Sequence, residues 1–155
     1  MTPGIDKVKK ARLAYQLHQY SHDASSDSYG REAAEKLAVP EERVLKTLVV
    51  RLESNELAVG VAPVNAMLNM KLMAKALGAK KASMAQAADV DRSTGYVLGG
   101  VSPLGQKKEL RTVIHSSAAS YPTIFVSAGR RGLEIELDPR DLAKLTRGKF
   151  AEICL

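Results

Sequence analysis

Residues 43–52 read RVLKTLVVRL and, after the turn-forming ESNE, residues 57–62 read LAVGVA. Val, Leu and Thr dominate the first run, a composition that suits a pleated, buried surface. Two such runs across a short polar turn predict a β-hairpin over 44–62. One ionisable group stands out of place in it. A period of two sets Lys46 on the face shared by Val44, Leu48, Val50 and Leu52. An ammonium among apolar side chains needs an anionic or hydrogen-bonding partner. The plainer reading is an edge-strand lysine that blunts aggregation or snorkels to solvent. Both faces of the strand are largely apolar, which favours a central strand, although parity leaves open which face is inside.

Outward from the hairpin, Thr2-Pro3 caps a short helix with Ile5 and Val8 on its inner face. Residues 14–20 alternate as a strand, 21–28 form a polar loop, and 31–37 read as a helix packed through Ala33, Ala34 and Leu37. Asn69 caps a further helix, with Met70, Met73, Ala74 and Leu77 at helical spacing and Gly78 as its stop. A short strand near 82–84 and an alanine-rich turn at 85–89 lead into a glycine loop. Strands follow at 110–115, 123–127 and 133–137, the last two joined by a hairpin turn at 128–132. Asp138-Pro139 opens a final helix, and 150–154 adds a closing strand. Strands outnumber helices and hairpins outnumber crossovers, so the expected class is α+β. Its architecture is a mixed, curled sheet or barrel with peripheral helices, formed by a single domain over 1–155.

The bulk properties exclude several classes. At 155 residues the chain can bury a sizeable core without staples. One cysteine, Cys154, rules out an internal disulfide and a cysteine-rich zinc site. The histidines at 18, 22 and 115 lack metal-ligand spacing, so no metal and no cofactor is expected. The N-terminal MTPGIDKVKK lacks a signal-peptide core and no run reaches membrane-spanning length, so a cytoplasmic protein without membrane contact is expected. The net charge of +6 is enough to steer a polyanion to the surface.

Residues 95–108, GYVLGGVSPLGQKK, hold four of the 11 glycines. The segment from Gly100 nearly spells a phosphate-binding loop. However, Gln106 intervenes after the second glycine, Lys108 occupies the hydroxyl position, and a strand rather than a helix follows. Nucleotide hydrolysis is therefore not expected. The glycines either shape a tight loop or let backbone amides approach a ligand closely.

Five segments together resemble one family. They are TPGIDKVKKARLAYQLHQY (2–20), SYGREAAEKLAV (28–39), RVLKTLVV (43–50), TGYVLGGVSPLGQKK (94–108) and TIFVSAGRRGLEIEL (123–137). The chain resembles, across nearly its whole length, the YbaK family of bacterial Cys-tRNA(Pro) deacylases, which is similar to the editing domain of bacterial prolyl-tRNA synthetases. The resemblance implies a mixed β-barrel with helices around it and hydrolysis of the ester joining a wrong amino acid to tRNA. It places the family's essential lysine on Lys46 and its G-x-x-x-P motif on Gly99 to Pro103. The pocket aromatics fall on Tyr20 and Tyr29, the hydroxyl on Ser127 and the acidic position on Glu134. The family more often carries Asp at that last position, and Glu134 also reads as the solvent face of the strand Leu133-Ile135-Leu137.

These residue types suit an ester already activated for cleavage. No Ser/His/Asp set is apparent and Cys154 is next to last, so no internal nucleophile is convincing. The Gly99 and Gly100 amides would form an oxyanion hole, where one donor is worth roughly 3 kcal/mol. Lys46 would hold the phosphate or ribose oxygens of the terminal adenosine, with Lys107 and Lys108 on the rim. The resemblance further implies that the substrate's own thiol attacks its carbonyl, releasing a thiolactone. Proline, which has no thiol, would then be spared. The implied partners are the tRNA(Pro) acceptor end and prolyl-tRNA synthetase in a ternary complex. Deacylation of Ala- or Ser-charged tRNA, and a non-catalytic tRNA- or synthetase-binding module, remain open alternatives.

Overall fold

The computed structural model describes residues 1–26 and 28–155; Asp27, within the loop expected over 21–28, lies outside the described residues. The hairpin is present. β2 (Leu45–Leu52) pairs antiparallel with β3 (Leu57–Pro63), with Lys46 opposite Ala62. A five-stranded sheet is built around it in the order β4 (Ala82–Met84), β2, β3, β5 (Arg111–His115), β8 (Lys149–Ala151). β3, β5 and β8 run parallel to one another, so the sheet is mixed. A second, three-stranded antiparallel sheet has the order β1 (Tyr15–Gln19), β7 (Leu133–Leu137), β6 (Ile124–Arg130).

The expected curled barrel is not closed. Among the described residues the sheets meet through a single bridge, Val44 to Phe125, and share no further ladder. Val44 C=O accepts from Val64 N–H and Leu52 N–H donates to Glu56 C=O, so even-numbered residues of β2 bond to β3. Odd-numbered residues therefore face the other edge. There β4 covers only Val50 to Leu52, and Ala85 N–H takes the Val49 carbonyl. The edge of β2 around Thr47 is left without a strand beside it, and this gap becomes the site.

Both faces of β2 are inside. Leu45 and Val49 join the core between the sheets with Val61, Ile124, Val126 and Ile135. Val50 and Leu52 pack on the other face beneath α3 (Met70–Leu77), against Met73 and Leu77. Val44, at the start of that second face, packs under α2 (Tyr29–Leu37) with Ala33, Ala34 and Phe125. Lys46 is half-buried between these two clusters. Asn69 caps α3 by accepting from Leu72 N–H, and Thr2 caps α1 (Pro3–Ala11) by accepting from Ile5 N–H.

The alanine-rich turn expected over 85–89 is instead the start of α4 (Ala87–Thr94). Its buried residues are Val90, Ser93 and Thr94, so two of its three inward positions are polar and no apolar period marks it. Thr94 hides its hydroxyl by donating to Val90 C=O. The last helix is α5 (Pro139–Thr146), capped by Asp138.

Candidate active site

A cavity of about 350 Å³ opens where β2 and β6 part. Leu45 to Leu48 form one wall from the uncovered edge of β2. Ser127 and Glu134 come from neighbouring positions of β6 and β7, paired across the three-stranded sheet. Tyr20 lies just after β1, Tyr29 sits in the first turn of α2, and Leu98, Gly99 and Val101 come from the glycine loop. Six of the seven expected residues meet here: Tyr20, Tyr29, Lys46, Gly99, Ser127 and Glu134.

Gly100 does not line the cavity. Its N–H is bound to Val97 C=O at 2.9 Å and so is not free to donate to an oxyanion. A Cβ at Gly100 would stand 3.3 Å from the Arg130 Cα, so this glycine serves the close packing of the loop on the β6–β7 turn. Gly99 has φ +94, and a Cβ there would fall 2.7 Å from an Arg131 guanidinium nitrogen and 2.9 Å from Tyr29 Cε2. Lys107 and Lys108 are tied by their amides to Thr94 and Ser93 at the end of α4 and lie off the rim. Arg130 and Arg131 hold the mouth instead. A register shift between Ser127 and Arg130 throws the tip of the hairpin there.

Electrostatics set the cavity apart. Glu134 does not lie on a solvent face. It is 6% exposed, and burial pushes its carboxyl up to about 8, so it is mostly protonated at neutral pH. Tyr20 is pushed up to about 12 by burial and then by Glu134. Burial lowers the Lys46 ammonium below its ordinary value, opposed by Cys154 and helped by Arg31. Among the described residues the Lys46 ammonium has neither a hydrogen bond nor an ion pair, although its backbone belongs to the ladder with Ala62. The Arg131 guanidinium lies over the Tyr29 ring, 3.6 Å from its centroid. The His22 ring meets Tyr29 edge-on at 5.5 Å, and Glu32 fixes His22 through Nδ1 at 2.7 Å.

No nucleophile with a base lines the cavity among the described residues. His18 is bound to Glu136, His22 to Glu32, and His115 accepts from Ile153 N–H. Ser127 Oγ accepts from Gly129 N–H at 3.0 Å and has no histidine beside it. Cys154 is buried outside the cavity, and burial raises its thiol pKa, which keeps it protonated and unreactive.

Two features escaped the sequence. Thr47 Oγ1 is the one buried side-chain polar atom without a hydrogen-bond partner among the described residues, and Thr47 lines the cavity. A threonine in a strand gives no signal of this, because the gap beside it is tertiary. The stack of Arg131 on Tyr29 likewise joins residues about 100 apart, and in the sequence Arg130-Arg131 reads as a turn and as one of several basic clusters open to tRNA.

With that geometry in place, residues 25–145 match the model of the aminoacyl-tRNA editing domain family. The chain is 39% identical over 153 residues to EbsC of Enterococcus faecalis, described as a candidate Cys-tRNA(Pro)/Cys-tRNA(Cys) deacylase. That match covers 98% of this chain and 92% of EbsC. It is 29% identical to YwhH of Bacillus subtilis over 84% of this chain and 83% of that one. The fold superposes on the hypothetical protein APE2540 with a TM-score of 0.87, at 25% identity over 99% of each chain. It also superposes on a candidate trans-editing enzyme for prolyl tRNA synthetase with a TM-score of 0.84, at 19% identity over 100% of this chain and 99% of that one. The chain belongs to the aminoacyl-tRNA editing domain family, and its activity is the deacylation of aminoacyl-tRNA.

Proposed function

We propose that the chain acts as a single editing domain that deacylates Cys-tRNA(Pro) in trans, with the substrate thiol as the nucleophile. The observation that carries this reading is a cavity with an unpaired ammonium, a buried carboxyl and, among the described residues, no nucleophile beside a base. In the proposed step the substrate sulfur bonds to its own carbonyl carbon and the ester C–O bond breaks. The thiol proton balances the proton taken up by the departing ribose oxygen, and water later opens the thiolactone to cysteine. In this reading the Gly99 amide meets the developing oxyanion and Lys46 holds the ribose or phosphate oxygens. Glu134 is the carboxylate of the cavity wall and takes the α-ammonium of the aminoacyl group, which restores its charge on binding.

Cysteine and proline differ too little in size for a cavity alone to separate them, since one methylene is worth about 1–3 kcal/mol. A reaction that needs a thiol removes that difficulty. The cavity has room for the acylated end of a tRNA and not for its distant identity elements. Choice of tRNA(Pro) therefore falls to prolyl-tRNA synthetase in a ternary complex in the cytoplasm. That the EbsC description names both tRNA(Pro) and tRNA(Cys) supports a pocket indifferent to the tRNA body. Deacylation rates for Cys-, Ala- and Pro-charged tRNA(Pro) test the reading: Cys must be cleaved fastest and Pro spared, and preference for Ala would replace the substrate.

A further inference from the structure

The catalytic cavity has a neighbour. A shallow groove of about 390 Å³ is lined by Gln19, Tyr20, Ser21, Arg130, Arg131 and Gly132, and it shares Tyr20, Arg130 and Arg131 with the cavity. The two arginines thus stand on the ridge between the two spaces.

Among the described residues, six of the ten arginines are ion-paired: Arg31, Arg43, Arg92, Arg111, Arg140 and Arg147. Arg130 and Arg131 are exposed, and neither has a carboxylate within ion-pair distance among the described residues. They are nevertheless held in place. Tyr20 N–H donates to Gly132 C=O at 3.0 Å, which latches the hairpin tip to the groove. The stack on Tyr29 fixes the plane of the Arg131 guanidinium while leaving its N–H edge free. Two adjacent, unpaired guanidiniums on a fixed turn suit bidentate binding of tetrahedral oxyanions. Gln19 and Ser21 supply neutral hydrogen-bonding groups along the groove.

Resting on the deacylase reading above, we infer that this groove is the track of the polynucleotide strand leading to the acylated nucleoside, with Arg130 and Arg131 gripping its last phosphodiesters. The ligand class is a single-stranded RNA 3′ end, bound through its backbone and not its base edges. The arginines belong to strand binding, and the chemistry stays with the cavity.

The test measures binding of the unacylated trinucleotide 5′-CCA-3′ and of adenosine, by NMR titration of the wild-type protein and of the R130Q/R131Q double variant. The trinucleotide should bind more tightly than adenosine. The double variant should lose at least tenfold in trinucleotide affinity and flatten its log–log salt slope by up to about 1.4, for two phosphates at about 0.7 each. Its adenosine affinity should stay unchanged. Unaltered trinucleotide affinity and salt slope would overturn the assignment. So would an equal loss for adenosine, because the arginines would then act by shaping the cavity through Tyr29. The arginines are exposed, so the melting temperature should fall by no more than a few degrees, the worth of the lost Arg131–Tyr29 stack. Because no ester is cleaved, failure of the deacylase reading would leave this result standing, and the converse also holds.

Discussion

The Arg131 guanidinium stacks 3.6 Å from the centre of the Tyr29 ring, and the bare Cα of Gly99 is what leaves room for it. Gly99→Ala would place a methyl against both partners in a backbone conformation that side chains rarely adopt. The variant should lose about 1–3 kcal/mol of stability, seen as a melting temperature several degrees lower, and at least tenfold in deacylation rate. Unchanged melting and rate together would mean that the loop moves aside at no cost.

Lys46→Ala should abolish deacylation while leaving the melting temperature within a few degrees. The ammonium is half-buried and has no partner among the described residues, so its removal takes little from the fold. Near wild-type turnover would remove Lys46 from the chemistry.

Glu134 gives the stability a pH slope of definite sign. Its folded pKa is raised to about 8 from an ordinary 4.5. Below pH 4.5 both folded and unfolded forms hold the proton, so nothing is lost. Between pH 4.5 and 8 the unfolded chain ionises while the folded one does not. Stability therefore falls as pH rises through that window, by at most about 1.4 kcal/mol per unit, and levels off above it. Glu134→Gln removes the slope, so its advantage in melting temperature should grow from pH 5 to pH 8. Parallel curves for the two proteins would show that the buried carboxyl is ionised in the free protein.

Thr47→Val replaces an unpartnered buried hydroxyl with a methyl group. The melting temperature should hold or rise, since no hydrogen bond is lost from the fold. Deacylation should slow by a few-fold to about tenfold, the worth of one hydrogen bond to the bound ester. A melting temperature several degrees lower would reveal a structural partner instead.

The hairpin was legible because 43–52 and 57–62 carry their strand signal locally, and the α3 cap and stop at Asn69 and Gly78 are equally local. The helix α4 was not, because Ser93 and Thr94 face inward where a period would need apolar residues. Within the site, Lys46 stood out by parity, whereas the burial of Glu134 depends on which face of a three-stranded sheet is covered. Gly100 is ambiguous for a related reason: a glycine that permits packing on Arg130 looks the same in sequence as one that offers its amide. Chain proximity likewise points to Lys107 and Lys108 for the rim, while the fold brings Arg130 and Arg131 there from a distant hairpin.

The most direct measurement compares single-turnover deacylation of Cys-tRNA(Pro) with that of the same tRNA carrying S-methylcysteine. The methylated ester still binds but has no sulfur nucleophile, and a thiol ionises near pKa 8.5 where a hydroxyl does not. The predicted result is rapid cleavage of the cysteinyl ester, loss of at least a hundredfold on methylation, and no change for Cys154→Ser. Comparable rates for the two esters would contradict it, because water would then be the attacking group, with Lys46 and the Gly99 amide serving to position it.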